Sequence, residues 1–215
     1  MVKQCSIIFD LDGTLWDALS PITLAWNEAM AKAKMPYSFS EETVRSYMGL
    51  TPEETGPLAF PGCSFEEQMR LFRLCVKEEI AYLSVHPGKL YPKERETLAQ
   101  LSQRYSLYLV SNSDKGYVEN YLSACQMEEY FSGHVCAGDT GLPKWGNIRY
   151  IIEKEKLSRA LYIGDTLKDK IETDKAGIPF IHATYGFGKP IDCTYKISRL
   201  EDLPSEADLV FKKEG

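Results

Sequence analysis

Short apolar runs alternate with amphipathic segments along most of this chain. The runs are four or five residues long and end at small or polar residues, which is typical of strands buried in a sheet. They lie at residues 6–9, 107–110, 134–137, 160–163 and 179–183. Segments with the apolar spacing of helices lie at residues 115–124, 148–155 and 168–176. The alternation predicts an α/β fold, a three-layer Rossmann-like core in which helices cover both faces of a parallel sheet.

A long segment between the first two apolar runs breaks this alternation, because a crossover connection is normally much shorter. Its apolar residues recur at helical spacing over residues 19–33 and 65–83, and Ser40 is placed to cap a further helix. Residues 57–62, which contain two prolines and a glycine, are predicted to form a loop. The segment therefore predicts an all-helical cap inserted into the core.

The insertion divides the 215 residues into a catalytic core, residues 1–17 and 85–215, and a helical cap, residues 18–84. With 44% hydrophobic and 26% charged residues, the composition is that of a globular protein. It excludes a disordered chain, a collagen-like repeat and a disulfide-stabilised miniprotein.

The net charge is −6, from 25 Lys and Arg against 31 Asp and Glu. This balance argues against broad binding to nucleic acid or to an anionic membrane surface, both of which need positive charge. No segment approaches the roughly 20 apolar residues of a transmembrane helix. The six cysteines form no Cys-x-x-Cys motif and no secretion signal is visible, so we expect a cytoplasmic protein with reduced thiols.

Polar residues follow three of the predicted strands, at the sheet edge where open α/β folds bind ligands. They are Asp10, Asp12, Ser111, Asn112, Asp165 and Asp169. Asp10 and Asp12 are two positions apart in extended chain, so both carboxylates can face one pocket. Clustered carboxylates repel one another unless a cation lies among them.

Oxygen ligands without histidine or cysteine select a hard cation, and Mg²⁺ held together with a substrate phosphate fits this set best. Lys144, in the predicted loop 141–144, would supply a second positive charge. These residues therefore predict a magnesium site that also binds a phosphate group.

Four motifs resemble those of the haloacid dehalogenase superfamily of hydrolases, in the same order along the chain. They are FDLDGTL at residues 9–15, LVSN at 109–112, Lys144, and GDTLKD at 164–169. The first motif is highly specific. The insertion after it resembles the cap of the phosphoglycolate phosphatase and β-phosphoglucomutase-like branch. The chain departs from the family pattern at Trp145, where proline is usual.

The resemblance implies a phosphoryl-transfer mechanism. Asp10 would be the nucleophile that forms an aspartyl-phosphate. Asp12 would protonate the leaving oxygen and then deprotonate the hydrolytic water. Ser111 and Lys144 would bind the transferring phosphoryl group, and the backbone N–H of Asn112 would assist them.

The resemblance also implies the metal ligands. Mg²⁺ would be held by Asp10, by the backbone carbonyl of Asp12, by Asp165 and, through a water, by Asp169. Family members that cleave carbon–halogen bonds lack an acid at the position of Asp12. Its presence, with Thr14 able to hydrogen-bond its carboxylate, favours a phosphatase for a small phosphorylated metabolite of the phosphoglycolate or sugar phosphate type.

The cap offers weaker signals. In the resembling branch the turn after the second cap helix contacts the leaving group, which makes Arg45 and Gly49 candidate substrate contacts. Arg45 could bind a carboxylate or a second phosphate of the substrate. Four aromatic residues are expected mainly in the apolar core, with the cleft as the alternative: Trp16, Trp26, Tyr47 and Phe60.

Other functions remain open at this point. A phosphosugar mutase of the same branch would carry a cap histidine soon after the first motif, and none precedes His86. Pyrophosphatase or nucleotidase specificity also fits the motifs. A phospho-accepting signalling module combines similar residues, but carries its acceptor on a later strand and needs no cap. We expect no nucleic-acid or membrane partner, and a monomer or a homodimer.

Overall fold

The computed structural model describes residues 4–214, so residues 1–3 and 215 of the predicted core lie outside the described residues. Its strands are β1 (Cys5–Phe9), β2 (Trp16–Asp17), β3 (Lys89–Leu90), β4 (Ser106–Ser111), β5 (Gly133–Cys136), β6 (Arg159–Gly164), β7 (Phe180–Ala183) and β8 (Tyr195–Ile197). Six of these strands form a parallel sheet in the order β5-β4-β1-β6-β7-β8. The predicted α/β fold with a parallel sheet is confirmed.

Ten α-helices lie within residues 4–214. They are α1 (Leu19–Lys32), α2 (Glu41–Arg45), α3 (Pro52–Ala59), α4 (Phe65–Leu83), α5 (Glu94–Ser102), α6 (Tyr117–Cys125), α7 (Ala137–Thr140), α8 (Lys144–Lys154), α9 (Leu167–Ala176) and α10 (Leu203–Lys213). Strand β8 and helices α5 and α10 are absent from the sequence prediction. In the part of the chain that is described, none of the helices is both long and apolar enough to cross a bilayer.

The sheet is covered on both faces, which explains why its strands are almost wholly apolar. Successive residues of β1 point to opposite faces. Ile7 and Phe9 pack into the larger hydrophobic cluster, whereas Ile8 packs into the smaller one. Leu161 and Tyr162 of β6 divide in the same way. A strand buried on two sides has no polar face, so its sequence is a continuous apolar run.

The chain order of the strands determines where a ligand can bind. After β1, the chain builds β4 and β5 on one side of the sheet and then crosses to build β6, β7 and β8 on the other. The carboxyl ends of β1, β4 and β6 are therefore adjacent at the point where the winding direction changes. Crevices at such switch points are where open α/β sheets bind their ligands.

Helices α1 to α4, here called the cap helices, lie between β2 and β3 in the chain. The two short strands pair antiparallel, with Trp16 opposite Leu90 and Asp17 opposite Lys89. The outgoing and returning chains thus run side by side where they leave the core. The division at residues 17/18 and 84/85 stays a prediction, and this ladder is the physical feature nearest to it.

Two local predictions are wrong. Residues 57–59 of the predicted loop belong to α3, because Thr51 and Glu54 form a capping box that starts the helix ahead of Pro57. Lys144 is the first residue of α8 rather than part of a loop, because the extended backbone of Pro143 ends the loop one residue earlier.

The central position of β6 predicts a large effect of truncation there. Leu161 is fully buried, so Leu161→Ala should lower the free energy of unfolding by about 2–5 kcal/mol. Leu209→Ala, at a position that is 39% exposed, should change it by less than about 0.5 kcal/mol. Urea unfolding followed by circular dichroism measures both, and equal losses would contradict the assigned burial.

Candidate active site

Three buried carboxylates meet where β1 and β6 end. Asp10 follows β1, and its backbone N–H donates to the carbonyl of Ile163 in β6 at 2.8 Å. Asp165 follows β6, and Asp169 lies in the first turn of α9. Carboxylate oxygens of the three acids lie within 4.8 Å of one another. The sheet edge thus brings together three of the four residues predicted to bind Mg²⁺.

Lys144 provides the positive charge within this cluster. Its Nζ donates to Asp10 Oδ1 at 2.8 Å and to Asp169 Oδ1 at 2.5 Å, and its side chain is only 1% exposed. The ammonium also lies 5.7 Å from the centre of the Tyr162 ring. Charge-assisted hydrogen bonds of this kind are about twice as strong as neutral ones. They connect the end of β1 with the starts of α8 and α9.

The N-cap of α9 orients Asp169. Thr166 donates to Asp169 Oδ2 through its backbone N–H at 3.0 Å and through its hydroxyl at 2.6 Å. The hydroxyl also accepts from the backbone N–H of Asp169 at 3.1 Å, which completes a capping box. Since Oδ1 already accepts from Lys144, both oxygens of Asp169 are engaged. This arrangement is consistent with the predicted contact to a metal through water.

Asp165 is held through one carboxylate oxygen by the loop after β7. Its Oδ2 accepts from the backbone N–H groups of Phe187 at 2.5 Å and Gly188 at 3.1 Å. Its Oδ1 is buried and has no hydrogen-bond partner within residues 4–214. A buried carboxylate oxygen without a partner is costly. With two further carboxylates beside it, the oxygen fits a hard divalent cation.

The glycine of the first motif is required by the approach of Asp165. Gly13 has a φ of +79°, a conformation that side chains disfavour. A Cβ atom at Gly13 would lie 2.3 Å from Asp165 Oδ2. The turn after Asp10 can therefore pass this close to Asp165 only because residue 13 has no side chain.

Negative charge exceeds positive charge in the cluster. Burial, followed by the carboxylate of Asp169, raises the pKa of Asp10 despite Lys144. The same two causes raise the pKa of Asp165 to about 7. Burial lowers the pKa of Lys144, but Asp10 and Asp169 outweigh burial, and the pKa lies well above its usual value. One ammonium is too little for three carboxylates, so the residues present fit a divalent cation such as Mg²⁺.

Asp12 is held by two aromatic side chains that the sequence analysis does not assign to the site. Trp16 Nε1 and the Tyr117 hydroxyl donate to Asp12 Oδ1 at 3.0 and 2.7 Å. Burial raises the pKa of Asp12 to about 6, although both hydrogen bonds lower it. The predicted bond from Thr14 is wrong: its hydroxyl is buried with no hydrogen-bond partner among residues 4–214. Trp16 and Tyr117 take that place, and their rings contact each other edge to face with centroids 5.8 Å apart.

A cavity of about 90 Å³ lies between the sheet edge and the cap helices. The predicted site residues that line it are Asp10, Asp12, Gly49, Ser111, Asn112 and Lys144. Asn112 Nδ2 donates to the carbonyl of Gly49 at 2.8 Å, so these two residues join the core to the cap helices. Ser111 Oγ accepts from the backbone N–H of Ser113 at 3.2 Å and faces the same cavity.

Arg45 does not line this cavity. Its guanidinium lies 5.0 Å from the centre of the Phe187 ring, a cation–π contact between a cap helix and the loop that holds Asp165. The four aromatic residues that the sequence assigns to the core or the cleft are found in both places. Trp26 and Tyr47 line the cavity, whereas Trp16 and Phe60 are fully buried.

Glu79 of α4 also lines the cavity and was not singled out from the sequence. Its carboxyl group is buried and accepts a hydrogen bond from Trp26 Nε1. The spacing of apolar residues in α4 gives no sign of it, because the acid occupies an inward position next to Val76 and Cys75. The one available signal is that Glu79 is an acidic residue at a position where the helical spacing predicts a buried side chain.

A family model described as haloacid dehalogenase-like hydrolase matches residues 7–183. The chain is 30% identical over 202 residues to a Vibrio parahaemolyticus protein named phosphoglycolate phosphatase, covering 87% of this chain and 88% of that protein. A Haemophilus influenzae protein of the same name is 28% identical over 200 residues, covering 86% and 88%.

Solved structures show the same fold. One from Haemophilus somnus, described as a predicted phosphoglycolate phosphatase, has a TM-score of 0.77 at 25% identity and covers 95% of this chain and 98% of that one. A haloacid dehalogenase-like hydrolase from Streptococcus pneumoniae has a TM-score of 0.79 at 23% identity, with coverage of 93% and 96%. The likeness extends over the cap helices as well as the core.

The acidic cluster predicts that Mg²⁺ stabilises the fold. A ligand that binds only the folded state, at 100 times its dissociation constant, adds about 2.7 kcal/mol of stability. We expect the unfolding temperature to be higher in MgCl₂ than in EDTA. The increase should be smaller in Asp165→Asn and unchanged in Asp174→Asn, an exposed position of α9. Equal shifts in Asp165→Asn and the wild type would contradict the ligand assignment.

Proposed function

The chain belongs to the haloacid dehalogenase-like hydrolases, and on that premise we propose that it is a Mg²⁺-dependent phosphatase of a small phosphorylated metabolite. The observation that supports this most strongly is the placement of Asp10. It is buried at the end of the central strand, bonded to Lys144, and lies at the floor of the cavity together with Asp12. A nucleophile, an acid–base group and a phosphate-binding cation thus share one enclosed site.

In the first half of the proposed reaction, a carboxylate oxygen of Asp10 attacks the phosphorus atom. The bond from phosphorus to the leaving oxygen breaks, and an aspartyl-phosphate forms. Asp12 gives its proton to the leaving oxygen, so the alcohol departs uncharged. Because Trp16 and Tyr117 both donate to Asp12 Oδ1, the proton is transferred at Oδ2.

In the second half, water attacks the phosphorus atom of the aspartyl-phosphate. Asp12, now ionised, takes the proton of this water, and the bond from phosphorus to Asp10 breaks. Inorganic phosphate leaves and both acids return to their starting states. A pKa of about 6 for Asp12 suits both roles, since the group must be protonated in one step and ionised in the next.

Ser111 and Lys144 are placed to hold the phosphoryl oxygens. Both line the cavity beside Asp10. Mg²⁺ bound by Asp10, Asp165 and the carbonyl of Asp12 would supply the charge that keeps the acids ionised and offsets the phosphate dianion. The fixed ammonium of Lys144 adds to that charge and needs no reorganisation during the reaction.

A phosphosugar mutase is the alternative in the same family branch. A mutase of this branch would carry a cap histidine soon after the first motif to activate the second hydroxyl. Histidine is not among the described residues that line the cavity, and His86 is exposed and packs on Tyr82 instead. The cavity therefore favours hydrolysis over transfer to a second position of the substrate.

Asp10→Asn tests the nucleophile. We expect Mg²⁺-dependent release of phosphate from p-nitrophenyl phosphate to fall to background, because an amide oxygen is a poor nucleophile. Circular dichroism should show an unchanged fold, and Asp174→Asn should keep wild-type activity. Turnover by Asp10→Asn at the wild-type rate would overturn the mechanism.

Tyr117→Phe tests the hydrogen bond that orients Asp12. A bond to a charged group contributes about 1.5–3 kcal/mol, so kcat/KM should fall roughly 10- to 100-fold. Tyr150→Phe, at a half-exposed position of α8, is the matched control and should leave kcat/KM unchanged. If both variants behave alike, Tyr117 has no part in positioning the acid.

A further inference from the structure

The half of the cavity formed by the cap helices is mainly apolar and aromatic. Ile22 and Trp26 of α1 and Phe72 and Val76 of α4 face it. Tyr47 contributes its ring, because its hydroxyl donates to the carbonyl of Leu58 at 3.3 Å. This wall faces the phosphoryl-binding residues, so the leaving group of a substrate would lie against it.

Glu79 is the acidic group in that wall. It is 7% exposed, and one carboxyl oxygen, Oε2, accepts from Trp26 Nε1. That bond leaves Oε1 as the oxygen with which a bound molecule could hydrogen-bond. Burial raises the pKa of Glu79 to about 8, with Asp12 and Asp114 adding to the rise and the Trp26 bond opposing it. A carboxyl group in this state can both donate and accept a hydrogen bond.

Within residues 4–214, no basic side chain lines the leaving-group side of the cavity. Lys144 is the one basic residue among the described lining residues, and Asp10 and Asp169 already bind its ammonium. Arg45 is engaged by the Phe187 ring, and Arg73 lines a separate groove.

From this distribution of charge we propose that the leaving group carries a hydrogen-bond donor, a hydroxyl or an ammonium, which Glu79 binds, and that it carries no carboxylate. The inference rests on the proposed phosphatase function and specifies its substrate class. A hydroxyl can donate to Oε1 and present its CH groups to Trp26 and Phe72. An ammonium would be bound by Glu79 in its ionised form and by the aromatic faces.

A carboxylate would meet unfavourable surroundings in the same place. Burying an anion is costly unless a cation or several donors compensate it. Asp12, Asp114 and Glu79 are the carboxyl groups on this side of the cavity among residues 4–214, so a second anion would find no cation there to compensate it. Phosphoglycolate, the substrate in the names of several relatives, bears such a carboxylate. The wall predicts that this chain has a different preference.

A matched series of two-carbon phosphates tests the inference. Ethyl phosphate, 2-hydroxyethyl phosphate, phosphoethanolamine and phosphoglycolate differ only in the group that would face Glu79. We expect kcat/KM for the hydroxyl or the ammonium substrate to exceed that for both ethyl phosphate and phosphoglycolate by at least about tenfold. Which of the two is preferred distinguishes a hydroxyl-bearing from an ammonium-bearing natural substrate.

Variants of Glu79 connect the preference to this residue. Glu79→Leu removes both hydrogen-bonding atoms, so the ratio of the preferred substrate to ethyl phosphate should fall to about one. Glu79→Gln retains an acceptor and a similar shape, so it should preserve most of a hydroxyl preference but abolish an ammonium preference. Glu78→Gln is the control. Glu78 is adjacent to Glu79 in the chain but pairs with Lys32 away from the cavity, so this variant should leave every ratio unchanged.

The results separate the two proposals. Hydrolysis of p-nitrophenyl phosphate together with a preference for phosphoglycolate would overturn the inference and leave the phosphatase function intact. A wild-type preference that survives in Glu79→Leu would overturn the role of Glu79. If no phosphate ester is hydrolysed in the presence of Mg²⁺, the proposed function itself fails.

Discussion

The ammonium of Lys144, buried between the carboxylates of Asp10 and Asp169, is the interaction on which the rest of the site depends. Removing one partner of a buried ion pair destabilises a protein by about 3–5 kcal/mol, because the other charge is left without compensation. The end of β1, the start of α8 and the first turn of α9 are therefore coupled. This single ammonium does not balance the three carboxylates of the cluster. The remaining negative charge makes the acidic cluster suitable for a divalent cation, which can in turn bind a phosphate.

The sequence predicts the core of the site because topology, rather than detailed packing, places it. Asp10 and Asp165 each follow a strand, and strands that neighbour in a parallel sheet present their carboxyl ends together. Tyr117 and Glu79 are different, since they reach the site from helices whose position depends on how side chains pack over long distances in the chain. Thr14 shows the reverse error: it lies within the first motif, yet its hydroxyl finds no partner among the described residues, and Trp16 and Tyr117 donate to Asp12 instead.

Several contacts join the cap helices to the core, including the Arg45–Phe187 contact and a hydrogen bond from Asn120 Nδ2 to the carbonyl of Ile80 at 3.0 Å. Asn112 bonds to the carbonyl of Gly49, and Lys168 of α9 forms an ion pair with Glu54 of α3. An ion pair that is partly exposed contributes about 0–1 kcal/mol. The Lys168–Glu54 pair therefore contributes little to holding the cap helices against the sheet edge.

The distribution of charge matters more here than the net charge of −6. Long-range charge argues against binding an anion, yet the phosphoryl end of the cavity combines Lys144 with acids suited to hold Mg²⁺. The opposite end, in the part of the chain that the structure describes, is lined by Glu79 and aromatic rings and by no free cation. The two ends of the cavity thus favour different groups: the phosphoryl end favours an anion, and the end formed by the cap helices favours a group without negative charge. A substrate that satisfies both is a phosphate monoester of an alcohol whose remaining polar group donates hydrogen bonds, so selectivity follows from the contrast between the two ends.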